Sequence, residues 1–157
     1  MAEREAPTHF LGRGWAFPPT FEAGELTPEG AVVRLGGARM SEDEADIVQS
    51  LQILFGTKPG ERLLQPDYGV DFGALLFEPL STTLRTLVTD RVRLAILRHE
   101  ARIQLLQLVV DDSRALEGVL SIRLEYSVRS TNSRFNLVHP FYLGDANELR
   151  PTAAALR

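Results

Sequence analysis

The hydrophobic period changes once along this chain, near residue 102, from 3.6 residues to 2. A chain that spends its apolar residues first on helical stripes and then on alternating strands is an α+β chain, not a parallel α/β one. Upstream, Ile47, Val48, Leu51, Leu54 and Phe55 share one helical face, and Leu84, Leu87, Val88, Val92, Ala95 and Ile96 share another. Downstream, Ile103–Val110 is rich in leucine and β-branched residues. Val119–Arg129 alternates, with Leu120, Ile122, Leu124, Tyr126 and Val128 facing one way and Ser121, Arg123, Glu125, Ser127 and Arg129 the other. Arg134–Leu143 is a third strand with Phe135, Leu137, Phe141 and Leu143 on one side. Pro140 has no N–H for a ladder, so this strand belongs at an edge or a bulge. The expected fold is helices packed on one face of a small antiparallel three-stranded sheet.

Local signals set the helix ends. Ser41-Glu42-Asp43-Glu44 reads as a capping box, with Ser41 as N-cap and Glu44 reaching back. Glu42, Asp43 and Asp46 suit the positive pole of that helix. Gly56 and Pro59-Gly60 end it. A short helix is expected near Phe72–Phe77, closed by Pro79. Ser81, Thr82 or Thr83 caps the next helix, and Arg98 and His99 suit its negative pole. Residues 1–40 contain Pro7, Pro18, Pro19, Pro28 and six glycines, yet also Phe10, Trp15, Phe17 and Phe21. That aromatic content argues against a disordered tail. It predicts an extended arm lying on the domain or on a neighbour, with a short strand over Ala31–Leu35. The division is therefore an arm (1–40), an α+β domain (41–143) and a C-terminal tail (144–157).

Composition removes several classes of function. The chain has 157 residues, enough for one self-sufficient core. It has no cysteine, hence no disulfide, thiolate metal site or cysteine nucleophile. The net charge is −4, and the bases are sixteen arginines and Lys58. A mildly acidic chain without a basic stripe is a poor nucleic-acid binder. The start lacks the apolar core of a secretory signal, and no stretch is long enough for membrane insertion. Synthesis and assembly in the cytoplasm are expected.

Catalytic patterns are missing too. His9, His99 and His139 have no metal-ligand spacing, and His139 reads as a paired or exposed strand residue. Glu61, Asp67, Asp71 and Glu78 are scattered among glycines and fit no two-carboxylate hydrolase geometry. Gly12-Arg13-Gly14 lacks the third glycine of a dinucleotide loop and reads as a turn. No catalytic residue, metal site or cofactor is expected. What remains is interaction. Arg85–Arg102 carries five arginines against Asp90 and Glu100. Glu100 and Arg102, at the helix-to-strand corner, read as an outward-pointing pair of opposite sign.

The series Phe10–Pro18, Ser41–Leu54, Thr57–Arg62, Pro66–Gly69, Leu76–Leu80, Glu100–Arg102 and Asn136–Leu143 resembles, in order and spacing, the baseplate wedge or sheath-initiator family of contractile tails. That family, sometimes labelled lysozyme-like, serves contractile phages, type VI secretion and extracellular contractile injection particles. The resemblance implies a structural protein at six copies per baseplate that joins the helical core bundle of the wedge proteins. It also implies contacts with inner tube or hub proteins and a sheet onto which sheath subunits add strands. The resulting particle is a phage tail-like or injection baseplate, released extracellularly in some systems. The family's Glu-Pro-Arg motif falls on Glu100, Ala101 and Arg102, with Ala101 in place of proline. Ala101 retains its N–H and a freer φ. The sheath-docking strand falls on Phe135, Asn136, Leu137, Val138, His139, Phe141 and Tyr142. Phe10, Trp15, Phe17 and Phe21 are the expected arm contacts. Two other readings are a peptidoglycan hydrolase of such a tail, and an adaptor that binds an acidic ligand through the arginine-bearing helix.

Overall fold

The described part of the N-terminal arm pairs its backbone groups by folding back on itself. In the computed structural model, which describes residues 11–28, 30, 32–72, 81–114 and 117–142, six short strands form three antiparallel rungs. β1 (Arg13–Trp15) pairs with β6 (Met40–Glu42), β2 (Phe21–Glu22) with β5 (Gly37–Ala38), and β3 (Glu25–Leu26) with β4 (Val32–Arg34). The rungs are nested, so 13–42 is one long doubled ribbon: Arg13 opposes Glu42, Phe21 opposes Ala38, and Glu25 opposes Arg34. The arm is thus stitched by its own backbone. The strand expected over Ala31–Leu35 is Val32–Arg34. At the root of the ribbon, Leu11 is buried in the core.

The ribbon runs directly into α1 (Asp43–Gly56), and this corrects the expected capping box. Ser41 lies inside β6, opposite Gly14, and cannot serve as an N-cap. Glu42 takes that position with no side-chain cap. The arm supplies a cap instead, because the Asp43 N–H donates to the Gly12 carbonyl at 3.1 Å. Asp43 has φ +52, a left-handed turn that Asp tolerates better than most residues. Ile47, Leu51, Leu54 and Phe55 are buried, while Val48 is only half-buried. Full burial of each such side chain contributes about 1.5–3 kcal/mol.

Helix α2 (Thr82–His99) starts where expected, with the Ser81 hydroxyl accepting from the Leu84 N–H at 3.1 Å. Leu84, Val88, Val92, Ala95 and Ile96 are buried. Leu87, assigned to that stripe from its spacing, is 42% exposed. It lies about a third of a turn outside the buried face, which Val88 and Leu84 already fill.

Three long strands complete the chain: β7 (Ile103–Asp111), β8 (Val119–Val128) and β9 (Arg134–Tyr142). They form an antiparallel meander ordered β7-β8-β9, with a bulge between Leu105 and Gln107. Leu120, Ile122, Leu124, Tyr126 and Val128 are all buried, and they join the buried residues of α1 and α2 in one core. The fold is mixed α+β. Phe10, the helix expected at Phe72–Phe77 beyond Phe72, the motif 76–80 with Glu78, Leu143 and the tail 144–157 lie outside the described residues. Among the described residues no helix is long and apolar enough to cross a membrane.

Candidate functional site

The corner between α2 and β7 holds the Glu100-Ala101-Arg102 motif. The Glu100 N–H closes the last turn of α2 on the Ile96 carbonyl at 2.8 Å, and Glu100 then leaves helical geometry at φ −130 and ψ 72. Its side chain is only 3% exposed. A buried carboxylate is costly unless paired, and a planar guanidinium pairs it best. Arg102 does so with a two-pronged contact, Nε to Oε1 and Nη2 to Oε2, both at 2.6 Å. Its third nitrogen, Nη1, donates to Asp46 Oδ2 at 2.7 Å and to the Leu11 carbonyl at 2.9 Å. One guanidinium therefore ties together the end of α2, the start of β7, the first turn of α1 and the root of the arm. Hydrogen bonding to Glu100, aided by Asp46, holds the Arg102 pKa above its usual value, so the charge is permanent. The pair does not point outward as its spacing suggested. It turns inward, because Asp46 and the Leu11 carbonyl offer acceptors there.

Two glycines make that junction possible. A Cβ on Gly14 would lie 2.5 Å from Asp46 Oδ1, and one on Gly12, at φ +104, would lie 3.2 Å from Arg102 Nη1. Gly12-Arg13-Gly14, read above as a turn, is the start of β1 fitted against the ionic cluster. Arg13 adds an exposed ion pair to Glu42 at 3.0 Å.

The motifs at Thr57–Arg62 and Pro66–Gly69 come to the same end of α2. They form one loop, closed by Gly60 N–H to the Pro66 carbonyl at 2.8 Å and Val70 N–H to the Thr57 carbonyl at 2.9 Å. Gly69, at φ +114, comes so near the Thr57 carbonyl that a Cβ would stand 2.2 Å from it. Tyr68 lies between the Arg62 guanidinium, 3.8 Å from its ring centre, and the His99 ring at 5.0 Å. Burial raises the Tyr68 pKa. His99 Nε2 also meets the Asp67 carbonyl at 3.2 Å.

The predicted docking strand is β9, one of the two edge strands of the sheet among the described residues. Its inward residues Phe135, Leu137 and Phe141 pack on the core, with Tyr126 stacked on Phe135 and Phe72 against Phe141. His139 is neither exposed nor polar-paired: it faces inward with Val110 and Ile122 in register and meets the Phe55 ring at 5.4 Å. Burial lowers its pKa. Asn136, Val138, Pro140 and Tyr142 are exposed. Val128 N–H bonds the Ser133 carbonyl at 2.9 Å at the start of this ladder. By alternation, 135, 137, 139 and 141 turn their backbone groups to β8, and 136, 138, 140 and 142 turn theirs to the open side. Pro140 is tolerated because its missing N–H would have pointed outward.

Trp15 (64%), Phe17 (49%) and Phe21 (70%) are exposed on the arm, with Trp15 and Phe21 edge to face at 6.1 Å. The arm is also held to α1 by Gln49 Nε2 donating to the Phe17 carbonyl at 2.8 Å. The acids weighed for hydrolysis serve local ends. Glu61 accepts from the Lys58 N–H at 2.9 Å, and Asp67 and Asp71 face Arg98 and Arg91 at 3.7 Å. Among the described residues no three His, Asp or Glu side chains group as metal ligands.

Sequence spacing did not point to Asp46, Leu11, Gly12 or Gly14 as members of the cluster. The available signal was two glycines flanking an arginine just ahead of a β-ribbon.

A small α+β body with an ionic corner, an open sheet edge and a stitched aromatic arm is a scaffold for assembly. A family model for the baseplate wedge protein gp25 matches residues 41–133, and the chain belongs to that family, whose members are structural baseplate components of contractile tails. Among solved structures it is similar to a candidate tail lysozyme from Geobacter sulfurreducens, with 44% identity over 66% of this chain and 93% of that one, and a TM-score of 0.61. It shares its fold with a chain of the anti-feeding prophage baseplate (24% identity, 86% of this chain, 88% of that one, TM-score 0.52). The same holds for a chain of a type VI secretion baseplate complex (16% identity, 62% and 90%, TM-score 0.53). No curated protein matches the chain.

Proposed function

We propose that this protein joins the wedge proteins of a contractile-tail baseplate at its Glu100-Ala101-Arg102 corner and templates the first sheath ring along β9. The reading takes the two helices as covering one face of the three-stranded sheet, which leaves β9 free to extend it. The observation that carries it is the run of outward backbone groups at Asn136, Val138 and Tyr142, on an edge strand whose inward side is already packed. Such an edge gains main-chain hydrogen bonds from an added strand. It is an aggregation hazard in isolation. The ionic corner contributes a fixed shape: with Arg102 committed to Glu100, Asp46 and Leu11, a partner meets a preformed surface. In this reading the aromatic arm reaches tube or hub proteins, and the complement is six copies per baseplate.

Val138→Pro removes one outward N–H and leaves the ladder to β8 intact. Assembled baseplates carrying it should lack sheath while retaining this protein. Normal sheath polymerisation on such baseplates would overturn the templating role. The 44%-identical relative named for a lysozyme motivates a zymogram with peptidoglycan, in which this chain should leave no clearing.

A further inference from the structure

We propose that the outward face of α2 is a seam for an amphipathic helix with acidic flanks, contributed by a partner. This is independent of strand addition at β9. Positions 83, 87, 90, 94 and 97 follow one another at spacings of four, three, four and three, the interval of a coiled-coil seam. Three of them are leucines left open to solvent: Leu87 at 42%, Leu94 at 56% and Leu97 at 68%. They lie opposite the buried face of Leu84, Val88, Val92, Ala95 and Ile96, so the core of this chain does not require them. A shallow groove of about 420 Å³ opens at the N-terminal end of the row, between Thr83, Leu87 and Asp90.

The flanks give the partner its charge. Arg91 and Arg98 line one side and Arg93 the other. Arg91 and Arg98 reach Asp71 and Asp67 only at 3.7 Å, between largely exposed groups, so these pairs can be exchanged for others. Arg93 has no carboxylate partner among the described residues. A second copy of this chain would bring arginines against arginines, which disfavours a homotypic pair. Asp90, polar in the middle of the row, selects a basic or amide residue at the facing position and fixes register.

The probe is a fluorescent synthetic helix of about three heptads, with leucine at the seam positions except one central asparagine to face Asp90, and glutamate at the flanking ones. A lysine-flanked twin is the control. Binding to the full-length protein is read by anisotropy. The glutamate helix should bind, weaken with added salt, and bind about tenfold or more weakly to Leu94→Glu/Leu97→Glu. Both substitutions are on exposed helix positions, and circular dichroism checks that the fold is kept. Arg93→Glu should move preference towards the lysine helix. Val138→Pro should leave binding unchanged, which separates this seam from the sheet edge. No binding of the glutamate helix, equal binding of the two helices, or unchanged binding by the double variant would overturn the proposal. So would sedimentation showing that wild type dimerises and the double variant does not, since the occupant would then be a second copy.

Discussion

Gly14 lies against Asp46 with no room for a side chain: a Cβ built there would stand 2.5 Å from the Asp46 Oδ1 oxygen. The same Asp46 holds Arg102, so the arm and the ionic corner are one mechanical unit.

Gly14→Ala should therefore act through Asp46. Overpacking of this kind costs about 1–3 kcal/mol. Paired with Asp46→Ala, the two losses should fall short of their sum, because the second substitution removes the clash. A double-mutant cycle by urea denaturation measures it, and strict additivity would show that the two residues do not communicate.

Removing the guanidinium should be more damaging. Arg102→Ala leaves Glu100 buried without a cation, a loss of about 3–5 kcal/mol. Adding Glu100→Gln should recover part of it by removing the stranded charge. Limited proteolysis should also find the arm cut sooner in Arg102→Ala, since Nη1 no longer holds the Leu11 carbonyl.

His139 gives stability a pH dependence of known sign. Burial lowers its folded-state pKa below the unfolded value near 6.5. Between those two values the unfolded chain binds a proton that the native one refuses, so stability falls as pH drops below about 6.5 and is regained above it. His139→Leu should flatten that part of the curve in denaturation series from pH 5 to 8. An unchanged slope would place the effect elsewhere.

Neighbouring prolines on β9 should behave differently. Leu137→Pro removes a ladder bond to β8 and takes a leucine off the core, so it should be clearly destabilising. Val138→Pro changes only the outward side and should cost much less in the isolated protein. A larger loss for Val138→Pro in thermal unfolding would show that the alternation along β9 is the reverse of that described, and equal losses would show that neither position is specially tied to β8.

Much of this architecture is legible in the sequence wherever a period is long enough to read. Helices α1 and α2 and strands β7, β8 and β9 each repeat their pattern several times, and their expected bounds lie within about two residues of those found. The ribbon was missed because strands of two or three residues carry no period. Ser41 was misread because a remote carbonyl, Gly12, does the work a local side chain usually does. Leu87 was misplaced because helical spacing marks a face without saying which side of it meets the core. At the site, the pairing of Glu100 with Arg102 follows from the corner, but its inward direction depends on Asp46, which is far away in sequence.

The proline in β9 has a last consequence. A strand laid along this edge finds donors at 136, 138 and 142 and none at 140, like a rack with one tooth filed off. Whatever its register, a newcomer spanning this edge sets one carbonyl against the pyrrolidine ring at 140, so the edge best suits a partner strand that ends, bulges or turns to water at that point.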